Sequence, residues 1–151
     1  MLQEFVRLAV YVPVDEASQG VDLAAASAVR EILRTFRDFG FAGSVGTYQA
    51  VVEISSAVET FMPTADSAPV HGVAGIVSAV PSARLVTYIP LGTPREEIGR
   101  LAGVLASVHP WEHPLIEIGP GLAMDASGGL NPVAAAAAEN RCTRVRPSLH
   151  H

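Results

Sequence analysis

The chain has no lysine; all ten of its basic residues are arginines. That removes lysine Schiff-base chemistry and the P-loop, whose lysine must reach the phosphates. The Ala-, Val-, Gly- and Arg-rich composition around this absence reads as the bias of a high-GC bacterial genome. Cysteine is nearly as scarce. Cys142 stands alone, so no internal disulfide can form, and four-cysteine zinc sites and CxxC redox sites are excluded. Positive charge is in deficit, with a formal net charge of −5. A nucleic-acid partner would be met by a basic patch or stripe, so none is expected. Long apolar runs are missing too: charges or prolines interrupt every stretch before the ~18 residues of a membrane helix, and no membrane partner is expected. The first residues, MLQEFVRLAVYVPVDE, lack the basic start and small-residue cleavage site of a signal peptide, which makes a cytoplasmic location the expectation. No G-x-S-x-G elbow marks a serine hydrolase.

What remains is apolar. The 151 residues suit one domain, and 49% hydrophobic against 17% charged residues can fill a core. The mean hydropathy of +0.32 is high for a chain with no membrane helix, and a subunit interface is where the surplus is expected to go.

Residues 5–13, FVRLAVYVP, are β-branched and aromatic and stop at a proline, as a strand does. From Leu23 to Phe39 the period becomes helical, with Val29, Ile32, Leu33, Phe36 and Phe39 on one face. Asp22 is the expected N-cap and Gly40 the residue that ends the helix. Residues 44–63 alternate as one long strand or bent hairpin, 64–75 read as a loop, and 83–90, ARLVTYIP, as a further strand. The clearest helix follows. Thr93 is the expected N-cap, Pro94 the first helical residue and Glu96 the partner in a capping box. Ile98, Leu101, Ala102, Leu105 and Val108 form its buried stripe. PLIEI, 114–118, opens the last strand. The order β-α-β-β-α-β predicts an α+β, ferredoxin-like sandwich: an antiparallel sheet with two helices on one face. Its other face needs a cover, for which a symmetric partner is expected. Residues 1–119 are read as the domain and 120–151 as a flexible tail, with a short Ala-rich helix over 132–139.

The segment VLASVHPWEHPLIEIG resembles the helix–HPYExP–strand stretch of two groups in the PII-like/CutA-like superfamily. One is the CutA divalent-cation-tolerance proteins; the other is the PII-like inserted domain of YqfO-type (type 2 GTP cyclohydrolase) proteins. The match is at His109, Pro110, Glu112 and Pro114, with Trp111 in place of tyrosine. Gly40, Gly43, Gly46 and Tyr48 are similar to the YqfO-type AGAGxIGxY stretch, and Thr60, Phe61 and Pro63 to its GTFxP. The resemblance spans roughly residues 5–119 and implies a homotrimer that binds a small ligand or divalent metal. Three departures limit what carries over. These 151 residues do not include the metal-binding halves that flank the YqfO-type domain, nor the second-strand cysteine of many CutA proteins. Val58 and Glu59 stand where glycines precede TFxP.

His71, His109, Glu112 and His113 are the candidate metal ligands, since imidazole and carboxylate suit zinc, copper or nickel. An architectural reading also accounts for part of this cluster. Pro110 ends the helix, His109 serves its last carbonyls, Trp111 fills the core edge and Pro114 launches a strand. That reading leaves His71 and His113 unexplained. Tyr48, Glu53, His71 and Trp111 are the candidate ligand-binding residues; for Tyr48 and Glu53 the alternative is an ordinary half-buried strand pair. Arg84 and Arg100 read as solvent or interface charges. A non-enzymatic binding module is therefore expected. The competing readings are a metal-assisted hydrolase using His71, His109, Glu112 and His113, which needs at least three converging ligands, and an interaction protein recruiting through its Arg-containing tail.

Overall fold

The computed structural model describes residues 2–15, 18, 20–69 and 71–124. The 132–139 helix expected from sequence, and Cys142, lie outside them. Four strands and two helices follow the order β1 (Leu2–Pro13), α1 (Ser27–Phe39), β2 (Val52–Phe61), β3 (Ser78–Pro90), α2 (Arg95–Val108) and β4 (Ile116–Met124). The sheet runs β2-β3-β1-β4, every neighbour antiparallel. This is the ferredoxin-like sandwich.

Side chains alternate across the sheet, so the register sorts them by face. Leu8 opposes Thr87 and Ile118; Val10 opposes Leu85 and Ile116. Leu85 also faces Ile54 on β2. Leu8, Val10, Ile54, Leu85 and Ile116 join Val29, Ile32 and Phe36 of α1 and Leu101 and Leu105 of α2 in one core. Both helices thus bury their apolar stripes against the same side. The expected stripe of α1 holds, and Thr35, also buried, is satisfied because its hydroxyl donates to the Glu31 carbonyl at 3.0 Å. The opposite face carries Phe5, Arg7, Ala9 and Tyr11 of β1 beside Arg84, Val86 and Tyr88 of β3. Phe5 meets Tyr88 edge-on at 5.8 Å. Arg84 lies over the Tyr11 ring and donates from Nε to its hydroxyl at 3.1 Å. Arg100 stacks 4.6 Å over Phe39 and pairs with Glu97. No described helix is long and apolar enough to cross a membrane.

Four expectations change in detail. A 3₁₀ turn, Gly20–Ala25, precedes α1, so the N-cap falls on Ala26 and Asp22 lies a full turn upstream. The capping box does not form: Pro94 is the N-cap, its carbonyl accepts from the Glu97 and Ile98 amides, and no side chain caps the end. Glu96 and Glu97 in the first turn still complement the helix dipole. Residues 44–51 are not strand, because Val45 and Tyr48 close a tight turn on each other and β2 begins only at Val52. Finally, β4 continues past Gly119 to Met124, paired to β1 through Arg7↔Gly119 and Leu2↔Met124. Residues from Pro120 read as a flexible tail in sequence, but β1 offers those up to Met124 a full row of partners.

Candidate ligand pocket

β4 pairs with β1 only as far as Val10↔Ile116. One residue further, the Tyr11 carbonyl is met by a side chain. His109, just past α2 and 7% exposed, turns Nε2 towards that oxygen. Its Nδ1 accepts the Trp111 amide at 3.0 Å, so the proton sits on Nε2 and is donated to Tyr11. Burial pushes the imidazole below its usual range, while the Tyr11 carbonyl pulls the other way. Both ring nitrogens are therefore in use. Metal binding by His109 would break one of these bonds.

The clamp sets Trp111 beside Phe61, the last residue of β2, with ring centroids 5.5 Å apart and planes tilted by 56°. The connection from β2 to β3 folds back here: the Gly75 amide donates to the Pro63 carbonyl at 2.9 Å, and the Ala68 amide to Glu112 Oε2 at 3.2 Å. Between this loop and the 109–115 segment lies a cavity of about 360 Å³. Glu59, Phe61, Met62, Trp111, Glu112 and Leu115 contribute to its lining, and so do His71 and His113. The volume lies in the range of small-molecule sites, ~300–1,000 Å³.

Three of the four candidate metal residues, His71, Glu112 and His113, thus share one pocket. They do not converge on a point: among the described residues no three His, Cys, Asp or Glu side chains are grouped to hold a metal ion. Glu112 Oε1 and His113 Nε2 are 3.7 Å apart, with the His113 side chain 87% exposed. The candidate ligand residues divide. His71 and Trp111 line the pocket, whereas Glu53 sits at the opposite end of β2, eight residues and roughly 26 Å from Phe61. Tyr48 is in the turn before that end and 74% exposed.

Glu59 and Phe61 were not singled out from sequence as site residues. Ser82, 1% exposed, donates its hydroxyl to Glu59 at 2.8 Å, and burial still pushes the Glu59 carboxyl above its usual range. The signal was present in the run ETFMP, where an acid replaces the expected glycine.

No protein-family model matches the sequence, and no curated protein matches it. Solved structures do. A Bacillus cereus protein related to NIF3 superposes with a TM-score of 0.57 at 21% identity, covering 80% of this chain and 26% of its own. The chain spans about a quarter of that protein's length. That part of it shares the α+β ferredoxin-like sandwich of this chain. CutA1 from Oryza sativa is also similar, with a TM-score of 0.48 at 15% identity and coverage of 95% of this chain and 96% of its own. The divalent cation tolerance protein of Thermus thermophilus gives 0.46 at 18%, covering 88% and 92%.

Proposed function

We propose that this protein is a non-enzymatic, cytoplasmic binding module that acts as a homotrimer and takes a small molecule in the pocket beside Trp111. One observation carries the reading: an aromatic-walled cavity of about 360 Å³ whose wall is fixed by a buried histidine clamp. The trimer is supported by the sheet face bearing Tyr11, Arg84 and Tyr88, which neither helix covers. A divalent-metal site (zinc, copper or nickel) is a second reading, favoured by the sharing of one pocket by His71, Glu112 and His113. It requires a further ligand from a neighbouring subunit. A metal-assisted hydrolase would require more, three ligands and an open position.

Native mass spectrometry on untagged protein, purified without a metal column, tests both. Three subunits with small-molecule adducts, or bare, are the expected result. A fixed number of metal ions per trimer would move the assignment to the metal reading, and a monomer would overturn the assembly. Removal of residues 125–151 leaves β4 whole, unlike removal from residue 120, and is expected to leave association unchanged; lost association would favour the interaction-tail reading.

Trp111 is the only tryptophan, so its fluorescence reports on the pocket directly. Trp111→Ala, which removes the wall facing Phe61, is expected to weaken small-molecule binding about tenfold or more, measured by calorimetry.

A further inference from the structure

The pocket's charge is one-sided. Glu59 and Glu112 line it and no arginine does. Glu59 is anchored from below by Ser82 at 2.8 Å, a contact that uses one of the roughly four acceptor positions of a carboxylate. Glu112 is tied through Oε2 to the Ala68 amide. Besides the polar Thr64 and Ser67 and the imidazoles of His71 and His113, the lining is apolar or aromatic, with Phe61 and Trp111 forming an angled pair beside Met62 and Leu115. Aromatic faces attract cations through the ring quadrupole, and N–H bonds from a cation to a carboxylate are among the strong hydrogen bonds. The same surroundings repel an anion, and apolar walls favour a guest with an apolar body over a bare hydrated ion.

A further observation points the same way. Burial holds the Glu59 carboxyl above its usual range despite the Ser82 bond, as expected of an acid short of counter-charge.

We propose that the ligand is an organic cation: an ammonium or amidinium group bearing N–H, carried on a flat apolar body, with the cation against Glu59 and the body against Trp111 and Phe61. The proposal rests on the small-molecule reading above and can fail without it.

The test is a fluorescence titration of the untagged full chain with three matched probes: phenethylammonium, 2-phenylethanol and 3-phenylpropanoate. The ammonium is expected to bind about tenfold tighter than the alcohol, and the carboxylate weakest. Glu59→Gln is expected to abolish the ammonium's advantage while the alcohol's affinity stays. The variant keeps an acceptor for Ser82, and relief of the partly buried acid is expected to raise its urea midpoint at pH 7. Glu112→Gln, whose side-chain oxygen can still accept from Ala68, is expected to reduce the advantage in part. Equal affinities for the ammonium and alcohol in the parent chain, or an unchanged advantage in Glu59→Gln, would overturn the cation assignment and leave the small-molecule reading standing. Should none of the three probes change Trp111 emission, both fall. If Glu59→Gln fails to fold, the ranking of the probes on the parent chain decides.

Discussion

His109→Ala is expected to destabilise the protein by about 2–4 kcal/mol, because it leaves two part-buried backbone groups without partners and opens a cavity. The groups are the Tyr11 carbonyl, at the point where β4 has ceased to pair with β1, and the Trp111 amide. Neither is easily reached by water, since the histidine between them is 7% exposed. A second consequence follows for the pocket. Trp111 is fixed by its amide to the Nδ1 of His109, with the two rings 5.9 Å apart. Loss of that bond frees the indole from Phe61, so folded His109→Ala is expected to show red-shifted tryptophan emission and weaker ligand binding. His109→Gln, which restores a donor of similar reach, is expected to recover part of the stability. A urea midpoint for His109→Ala within error of the parent would show that the clamp contributes nothing.

The same histidine gives a pH dependence of definite sign. Its imidazole is pushed down in the folded protein, chiefly by burial, so below the ordinary histidine value of ~6.5 the unfolded chain binds a proton that the native one refuses. The stability tied to His109 is complete above that value and is lost as pH falls through it towards the depressed native pKa. Protonation also converts Nδ1 from acceptor to donor, against the Trp111 amide. Urea midpoints are therefore expected to fall from pH 7.5 to 5.5 in the parent, and to fall less in His109→Gln.

Much of the fold was legible because its main signals are periodic. Val29, Ile32 and Phe36, and then Leu101 and Leu105, recur at helical spacing and are the residues that fill the core. The strands FVRLAVYVP and ARLVTYIP proved to be central neighbours, β1 and β3. The misreadings sit where tertiary context outweighs local pattern. Residues 120–124 read as the start of a flexible tail, but β1 pairs with them throughout. The capping box at Thr93 is correct by composition, yet the backbone of Pro94 supplies the acceptors instead.

The site was legible only in part, and for a geometric reason. His71 and the 109–115 segment are brought to one pocket by the folding back of the β2–β3 connection, which no spacing rule encodes. Sequence grouped His109, Glu112 and His113 as candidate ligands while offering an architectural role for His109. Burial separates them: one is locked between two backbone groups, while His113 points to solvent. Glu59 was visible only as an exception within ETFMP, and its partner Ser82 is 23 residues away.

Gly43→Ala is expected to cost about 3 kcal/mol or more, the other large effect, although Gly43 touches neither the pocket nor the core stripes. Its φ of +78° is left-handed, and a methyl group there would lie 2.5 Å from the Val51 nitrogen and 2.7 Å from the Val51 oxygen. Those are backbone atoms, which cannot swing aside. They also belong to a hydrogen-bonded web that seats the start of β2: the Gly43 amide donates to the Tyr88 carbonyl at 2.9 Å, the Val51 amide to the Gly43 carbonyl at 3.0 Å, and the buried Thr87 hydroxyl to the Val51 carbonyl at 2.9 Å. Relief of the clash moves Val51 and leaves Thr87, 0% exposed, with an unmet donor in the middle of the sheet. Gly46 supplies the comparison. It is also left-handed, at +56°, but nothing lies within 4 Å of the added carbon, so Gly46→Ala is expected to cost only about 1 kcal/mol of backbone strain. Urea unfolding of the two variants separates the contributions: similar losses would mean that the left-handed backbone is the whole cost, and a gap of about 2 kcal/mol would assign the remainder to the contact with Val51.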